Sequence, residues 1–307
     1  MTDQDSEAQG TAATERETLR AAGWELAYSG KVRELYVPAG LDLATAPEML
    51  MVASDRVSAF DHVLEPAIPG KGELLTTLTR WWIDRLGLPS QLAADADART
   101  PGIVRGRGML VRTLDMLPVE CVVRGRVTGS GLKEYQRVGA ISGVALPAGL
   151  ADGDALPAPI YTPAWKAPQG EHDENVSFER TVQLVGAEDA AAIRDLSLRV
   201  FEQGAAIAAE AGLVLADTKF EFGRDRVTGE LVLADEVLTS DSSRYWDAAP
   251  LAEGRVESFD KQIVRNWLSE HWDGEGEPPA LPPEVVERTA ARYRELLERL
   301  TGSPLVE

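Results

Sequence analysis

At 307 residues the chain is long enough to bury a substantial core, either as one large domain or as two lobes. A formal net charge of −19 argues against nucleic acid and anionic membrane surfaces as default partners, since both repel an acidic protein. The single cysteine, Cys121, excludes an intrachain disulfide and a cysteine-based metal cluster. No run approaches the roughly 18 consecutive apolar residues of a membrane span, and the expected location is the cytoplasm.

In chain order, residues 1–18 are polar and acidic, and are expected to be disordered or at most to lead into a helix ending near Ala22. Trp24 to Val37 predicts two short strands around Tyr28-Ser29-Gly30-Lys31, with Arg33 just beyond. A glycine turn flanked by cations can lie over a polyphosphate, because its N–H groups and its side-chain charges face the same anion. An ordinary hairpin has the same composition. Met49 to Ala53 reads as a core strand, and Ser54 to His62 is unusually polar for a segment so close to one. Pro69 to Gly72 predicts an exposed turn. Leu74, Leu75, Leu78, Trp81, Trp82 and Leu86 then fall at helical spacing until Gly87 and Pro89. Residues 91–100 read as polar linker, and Gly102 to Arg107 and Met109 to Leu114 as strands.

Between Pro101 and Ala140 the charge changes sign, with six Arg and one Lys against Asp115, Glu120 and Glu134, or +4. Within it Val119 to Val123 is strand-like, and Gly129-Ser130-Gly131 can open a helix over Leu132 to Arg137. Free N–H groups at that helix start would lie near Arg124 and Arg126, an arrangement suited to a phosphate. Residues 141–170 contain five prolines and little periodicity, which favours a functional loop over a simple connection. Lys166 and the cluster Glu171-His172-Asp173-Glu174-Asn175 lie at its end. Ile193, Leu196, Val200, Ile207 and Ala211 mark one face of a long helix that stops at Gly212.

That helix feeds a predicted hairpin, Leu213 to Val237, with turn chemistry at Thr228-Gly229. Alternation places Asp217, Lys219 and Glu221 on one face, and Ala216, Thr218, Phe220 and Phe222 on the other. A turn centred near Val227 to Gly229 would bring Glu221 opposite Asp235 or Glu236. Like charges across a ladder destabilise it. A divalent cation held by oxygen ligands would relieve the conflict, as would a solvated face on which Lys219 screens two ordinary carboxylates. Beyond the hairpin, Ser258 is expected to cap a helix running to about Trp272, and Pro283 to Leu300 forms a last amphipathic helix before Gly302. Strands predominate before residue 127 and helices after it, which predicts an α+β fold with two lobes.

Several of these segments resemble the SAICAR synthetase family when taken together. Leu117-Pro118-Val119-Glu120-Cys121-Val122-Val123-Arg124 with Thr128-Gly129-Ser130, and Leu215-Ala216-Asp217-Thr218-Lys219-Phe220-Glu221-Phe222-Gly223, look like its two signature segments. Gly30 to Tyr36, Ser54 to Asp61, Gly170 to Asn175, and Asp235-Glu236 through Trp246 match further family segments in the same order, so the likeness covers roughly residues 20–300. The resemblance implies a two-lobed fold with ATP between a β-rich N-terminal lobe and a larger C-terminal lobe. The expected divisions are a disordered tail at 1–18, a nucleotide-binding lobe at 19–117, and an α/β substrate- and metal-binding lobe at 118–307. It further implies an ATP-dependent ligase that joins the carboxylated aminoimidazole ribonucleotide CAIR to L-aspartate in purine biosynthesis.

By the same resemblance, the turn Gly30 to Arg33 covers the ATP phosphates through Lys31 and Arg33, Met116 lies at a hinge beside adenine, and Glu120 belongs to the ATP-binding set. Glu221 and Asp235 would hold Mg²⁺ on the phosphates, Lys219 would neutralise phosphoryl charge, and Asp217 would position or deprotonate the incoming groups. Arg124, Ser130 and Arg244 would take the ribonucleotide phosphate, with Asp61, Lys166 and Asp173 around the imidazole and its carboxylate. His172 is either a base or a structural histidine. Arg33 stands where some relatives carry lysine, and the long 141–170 loop leaves the chain a monomer or a small homo-oligomer. A small-molecule kinase would share the nucleotide turn and the metal carboxylates but would need no third substrate. A non-catalytic nucleotide-binding module would share the turn alone.

Overall fold

The computed structural model describes residues 13–166 and 174–303. Residues 13–21 are helical, so the lead-in helix begins inside the stretch expected to be disordered, and its Leu19 is fully buried. Next comes a four-stranded antiparallel sheet in the order Trp24–Ser29, Arg33–Pro38, Glu48–Ala53, Gly108–Arg112. The segment Gly102 to Arg107, expected to be a strand, instead makes a single 3₁₀ turn at Gly102–Val104. Pro101 lacks an amide donor and Gly106 sits at φ 96, so a ladder cannot form there. The chain folds back instead, and Val104 is fully buried. Within the expected 91–100 linker, Ala96–Arg99 is a short helix and Gln91 is buried.

The second sheet has eight strands and is built on two of them, Val119–Arg126 and Leu213–Asp225. They run antiparallel with Asp217 opposite Arg124, Lys219 opposite Val122 and Phe220 opposite Cys121. Since the side-chain period is two, this register puts Glu120, Val122 and Arg124 on the same face as Asp217, Lys219 and Glu221. On the opposite face Val119, Cys121, Val123, Phe220 and Phe222 are buried against Ile193, Val200 and Phe201 of the helix Ala187–Glu210 and against Tyr293 and Leu296 of the helix Pro283–Thr301. Each large apolar side chain buried there contributes about 1.5–3 kcal/mol, which ties the charged face to a rigid support.

Two expectations are corrected here. Of the expected 141–170 loop, the described residues to 166 are not irregular throughout, because Ala155–Tyr161 pairs with Val119–Arg126. The register shifts between Ala155 and Ile160, where Pro157 and Pro159 remove two ladder donors. The last-but-one helix starts at Gln262 and not at Ser258. Its first free amide is satisfied by Asp260, whose Oδ1 accepts from the Gln262 N–H at 2.6 Å, while Ser258 bridges to Trp246.

A buried ion pair fastens the loop that carries Asp241 to the helices behind it. Lys71 Nζ, at the start of the helix Lys71–Leu86, lies 2.7 Å from Asp241 Oδ2, and Tyr293 OH donates to Asp241 Oδ1 at 2.9 Å. Burial alone would raise that carboxyl; Lys261 and Lys71 instead hold it well below the ordinary carboxylate range. No helix among the described residues is long and apolar enough to cross a membrane.

Candidate active site

Two adjoining cavities open on the charged face of the large sheet and share Val32, Arg33 and Asp235. The first, about 300 Å³, has an apolar wall of Leu35, Met49, Met51, Val111, Met116 and Ala234. The turn residues Gly30, Lys31 and Arg33, with Lys166, Glu221 and Asp235, complete its lining. The second, about 430 Å³, is polar and is lined by Glu120, Arg124, Ser130, Asp217, Lys219 and Arg244, with Asp241, Asp260, Lys261 and Arg265 beyond them.

The polar cavity is organised by one carboxylate. Asp217 lies opposite Arg124 on one neighbouring strand and opposite Arg244 on the other, Ser243–Asp247. Its Oδ2 accepts from Arg124 Nη1 at 3.0 Å and also from Arg244 Nη1. Arg124 further donates to Thr162 Oγ1 at 3.0 Å and to Ser130 Oγ at 3.2 Å. Burial lowers the Arg124 guanidinium from its ordinary value and Asp217 opposes that effect, whereas Asp217 raises Arg244. The helix Gly129–Val138 starts against these two side chains. A Cβ at Gly129 would meet Arg244 Cζ at 2.9 Å and one at Gly131 would meet Arg124 Nε at 3.0 Å, so the Gly-Ser-Gly sequence is required by the approach of two guanidiniums.

At the junction of the cavities the acids meet cations of the protein itself. Lys219 Nζ donates to Glu120 Oε1 at 2.7 Å and to Glu221 Oε1 at 2.8 Å, and Lys166 pairs with Glu221 Oε2. Burial would suppress the Lys219 charge, but Glu221 and Glu120 outweigh it and raise the amine well above its usual range. In the same way burial pushes the Glu221 carboxyl up while Lys219 and Lys166 bring it down to about 2. Glu221 lies opposite Ala234, and not opposite Asp235 or Glu236 as expected from the turn position. Asp235 falls just past the strand Leu231–Ala234 at φ 59, where its side chain leaves the ladder and pairs with Arg33. Arg33 also lies 2.9 Å from Glu236 Oε2. Burial opposes the Arg33 charge, and Asp235 and Glu236 more than restore it.

Of the residues singled out from sequence, Asp61 lines neither cavity. Its carboxylate takes Lys31 Nζ at 2.6 Å from a turn in which both Phe60 and Asp61 have positive φ. Lys166, expected near the imidazole, lines the apolar cavity. Asp173 and His172 lie outside the described residues. Gln91, Asp260, Lys261 and Arg265 were missed. Gln91 sits in a stretch taken for linker, yet its side chain donates to the Asp235 carbonyl at 3.0 Å. Lys261 and Arg265 are four residues apart at the start of a helix, the spacing that puts two cations on one face. That spacing is visible in the sequence.

A model of the SAICAR synthetase family matches residues 26–279. The chain is 62% identical over 294 residues to a phosphoribosylaminoimidazole-succinocarboxamide synthase of Leifsonia xyli, covering 92% of this chain and 98% of that protein. The chain belongs to the SAICAR synthetase family. It is therefore an enzyme of the ligase class with the mixed α and β fold of its relatives. A Saccharomyces cerevisiae SAICAR synthase solved with SAICAR superposes with a TM-score of 0.77 at 36% identity, covering 92% of this chain and 97% of that one. A SAICAR synthetase solved with ADP gives 0.67 at 27% identity, with 91% and 99% covered.

Asp260 makes the electrostatics of the polar cavity measurable. Its Oδ2 is buried with no hydrogen-bond partner, and burial pushes the carboxyl from 3.8 up to about 6. The folded protein therefore binds more protons than the unfolded chain between those values, and stability falls as pH rises through them. The gap is worth about 3 kcal/mol. Urea unfolding of the unaltered protein and of Asp260→Asn should show their difference shifting by about that amount in favour of the variant between pH 4 and pH 7; parallel profiles would contradict it.

Proposed function

We propose that the chain joins CAIR to L-aspartate, with ATP converted to ADP and phosphate, in purine biosynthesis. The observation that carries this reading is the meeting of an apolar cavity lined in part by the Gly30–Arg33 turn with a polar cavity built on paired guanidiniums, with Arg33 and Asp235 common to both. Two solved relatives, one complexed with SAICAR and one with ADP, support a nucleotide and this product as ligands of the fold.

ATP occupies the apolar cavity in this reading. Met116 and the apolar wall take adenine, the glycine turn with Lys31 and Arg33 takes the phosphates, and Glu120 orients Lys219 toward them. The CAIR phosphate lies at Arg124, Ser130 and Arg244, with Asp217 holding the two guanidiniums in place. In this reading residues 19–117 are the nucleotide-binding part and 118–307 the substrate- and metal-binding part, with residues of both lining each cavity, and a cytoplasmic setting suits such an enzyme.

A carboxylate does not react with an amine near neutral pH, because oxide is a poor leaving group. Transfer of the γ-phosphoryl group to the CAIR carboxylate converts that oxygen into phosphate, which leaves readily when the aspartate amine attacks the carbonyl carbon. Holding the partners in place can supply about 7–11 kcal/mol of the barrier. Lys219, held by Glu120 and drawn from Glu221 by the more highly charged phosphates, stabilises the phosphoryl oxygens during transfer.

Among the described residues no group of three or more acids, histidines or cysteines forms a metal cage. Mg²⁺ is commonly bound through one or two carboxylates completed by phosphates and water, and Glu221 and Asp235 fit that donor set at the junction of the cavities. When bound there, Mg²⁺ would neutralise phosphate charge.

ADP release is measured with purified protein, CAIR and ATP, with and without L-aspartate. The reading requires aspartate for sustained turnover; unchanged turnover without it, giving a stable phosphorylated product, marks a kinase. Arg124→Ala and Arg244→Ala should each raise the KM for CAIR roughly ten- to hundredfold, the loss of one charge-assisted contact, and leave that for ATP nearly unchanged. An equal rise for ATP would reverse the placement of the two ligands.

A further inference from the structure

Three consecutive carbonyls of the turn between the first two strands are held from behind. The Gly30 carbonyl accepts from Arg56 Nη2 at 3.1 Å and the Lys31 carbonyl from Arg56 Nε at 2.9 Å. The Val32 carbonyl accepts from the Ser54 amide at 3.0 Å and from its hydroxyl at 2.8 Å. A peptide unit is planar and trans, so each N–H points away from the carbonyl of the preceding residue. With these carbonyls drawn toward residues 54–56, the Lys31 and Val32 amides face the other way. That side holds the apolar cavity, which Gly30, Lys31 and Val32 line and Ser54 and Arg56 do not.

Arg56 is itself aimed. Its Nη1 lies 3.6 Å from Glu34 Oε1, and Glu34 in turn accepts from Arg16 and from Tyr36 OH, each at 2.6 Å. A planar guanidinium offers, on its Nε–Nη2 edge, two near-parallel donors rigid enough to span adjacent carbonyls; an ammonium is a point charge on a flexible stem. Gly30 completes the fit, since a Cβ there would lie 3.2 Å from the Arg33 carbonyl oxygen and from the Tyr28 ring.

We infer that Arg56 is a positioning residue that presets the turn at 30–33 for nucleotide phosphates, acting through the backbone without touching the ligand. The inference rests on the reading of the apolar cavity as the ATP site. Preordering the turn removes a cost that binding would otherwise have to meet, so the effect falls on nucleotide affinity and leaves the polar cavity alone.

The test compares Arg56→Ala, Arg56→Lys and Lys31→Ala in the full chain, by kinetics in all three substrates and by calorimetric titration with ADP. Arg56→Ala should raise the KM for ATP and the Kd for ADP roughly tenfold, with the constants for CAIR and aspartate moving less than about twofold. Arg56→Lys should fall between, because it retains charge and loses the fork. If Arg56→Ala does not fold, Arg56→Lys carries the same comparison. A KM for ATP unchanged in the folded variants, or an equal rise in all three constants, overturns the inference. Loss of ADP affinity in Lys31→Ala with normal affinity in both Arg56 variants does so while leaving the ATP site standing; an unaltered protein that does not bind ADP removes both.

Discussion

One oxygen atom sets the geometry of the polar cavity. Asp217 Oδ2 accepts from two guanidiniums that arrive from opposite sides, Arg124 and Arg244, and it can do so only because three strands hold their register. A slip of one residue in Leu213–Asp225 would turn Asp217, Lys219 and Glu221 into the core and bring Phe220 and Phe222 out to the ligand face. The buried cluster beneath makes such a slip prohibitively costly, so the packing of phenylalanines on one face fixes the positions of charges on the other. The two glycines around Ser130 belong to the same constraint, because the helix start must come within contact of both arginines.

The remaining charges follow a second rule. Buried ions that lack a partner cost several kcal/mol each, and every cation at the junction of the cavities is held by an acid: Arg33 by Asp235 and Glu236, Lys219 by Glu120 and Glu221, Lys166 by Glu221. A chain of net charge −19 can thus present a site for anions, since its cations are concentrated there and neutralised internally. In the proposed reading, phosphates compete with these carboxylates for the same donors. The hairpin acids meet protein cations in the structure, which answers the electrostatic conflict read from the sequence without excluding a metal that binds together with phosphate.

Much of this was legible in the residues. The alternation from Ala216 to Phe222 gave the charged and apolar faces, and the positive segment around Arg124 coincides with one wall of the polar cavity. What was not legible depended on register and on distance along the chain. Glu221, expected opposite Asp235 or Glu236, lies opposite Ala234, because the turn closes with Arg224 opposite Leu231, and the chain then leaves the ladder at Asp235 through a left-handed conformation that composition does not announce. Gly102 to Arg107 looked like a strand because its valine and isoleucine outweighed its glycines. Arg56 and Gln91 act on residues far from them in sequence, on the Gly30 turn and on Asp235 respectively, and periodicity contains no trace of such contacts.

The central claim is that the CAIR carboxylate is phosphorylated before the amide forms. It is tested most directly with CAIR carrying oxygen-18 in both carboxylate oxygens, ATP and L-aspartate, followed by mass analysis of the phosphate released. The proposed reaction leaves one labelled oxygen in each phosphate formed, since the oxygen that attacks the γ-phosphorus departs with it when the amine displaces it. Phosphate free of label would show that water, and not the carboxylate, received the phosphoryl group, and would contradict the account.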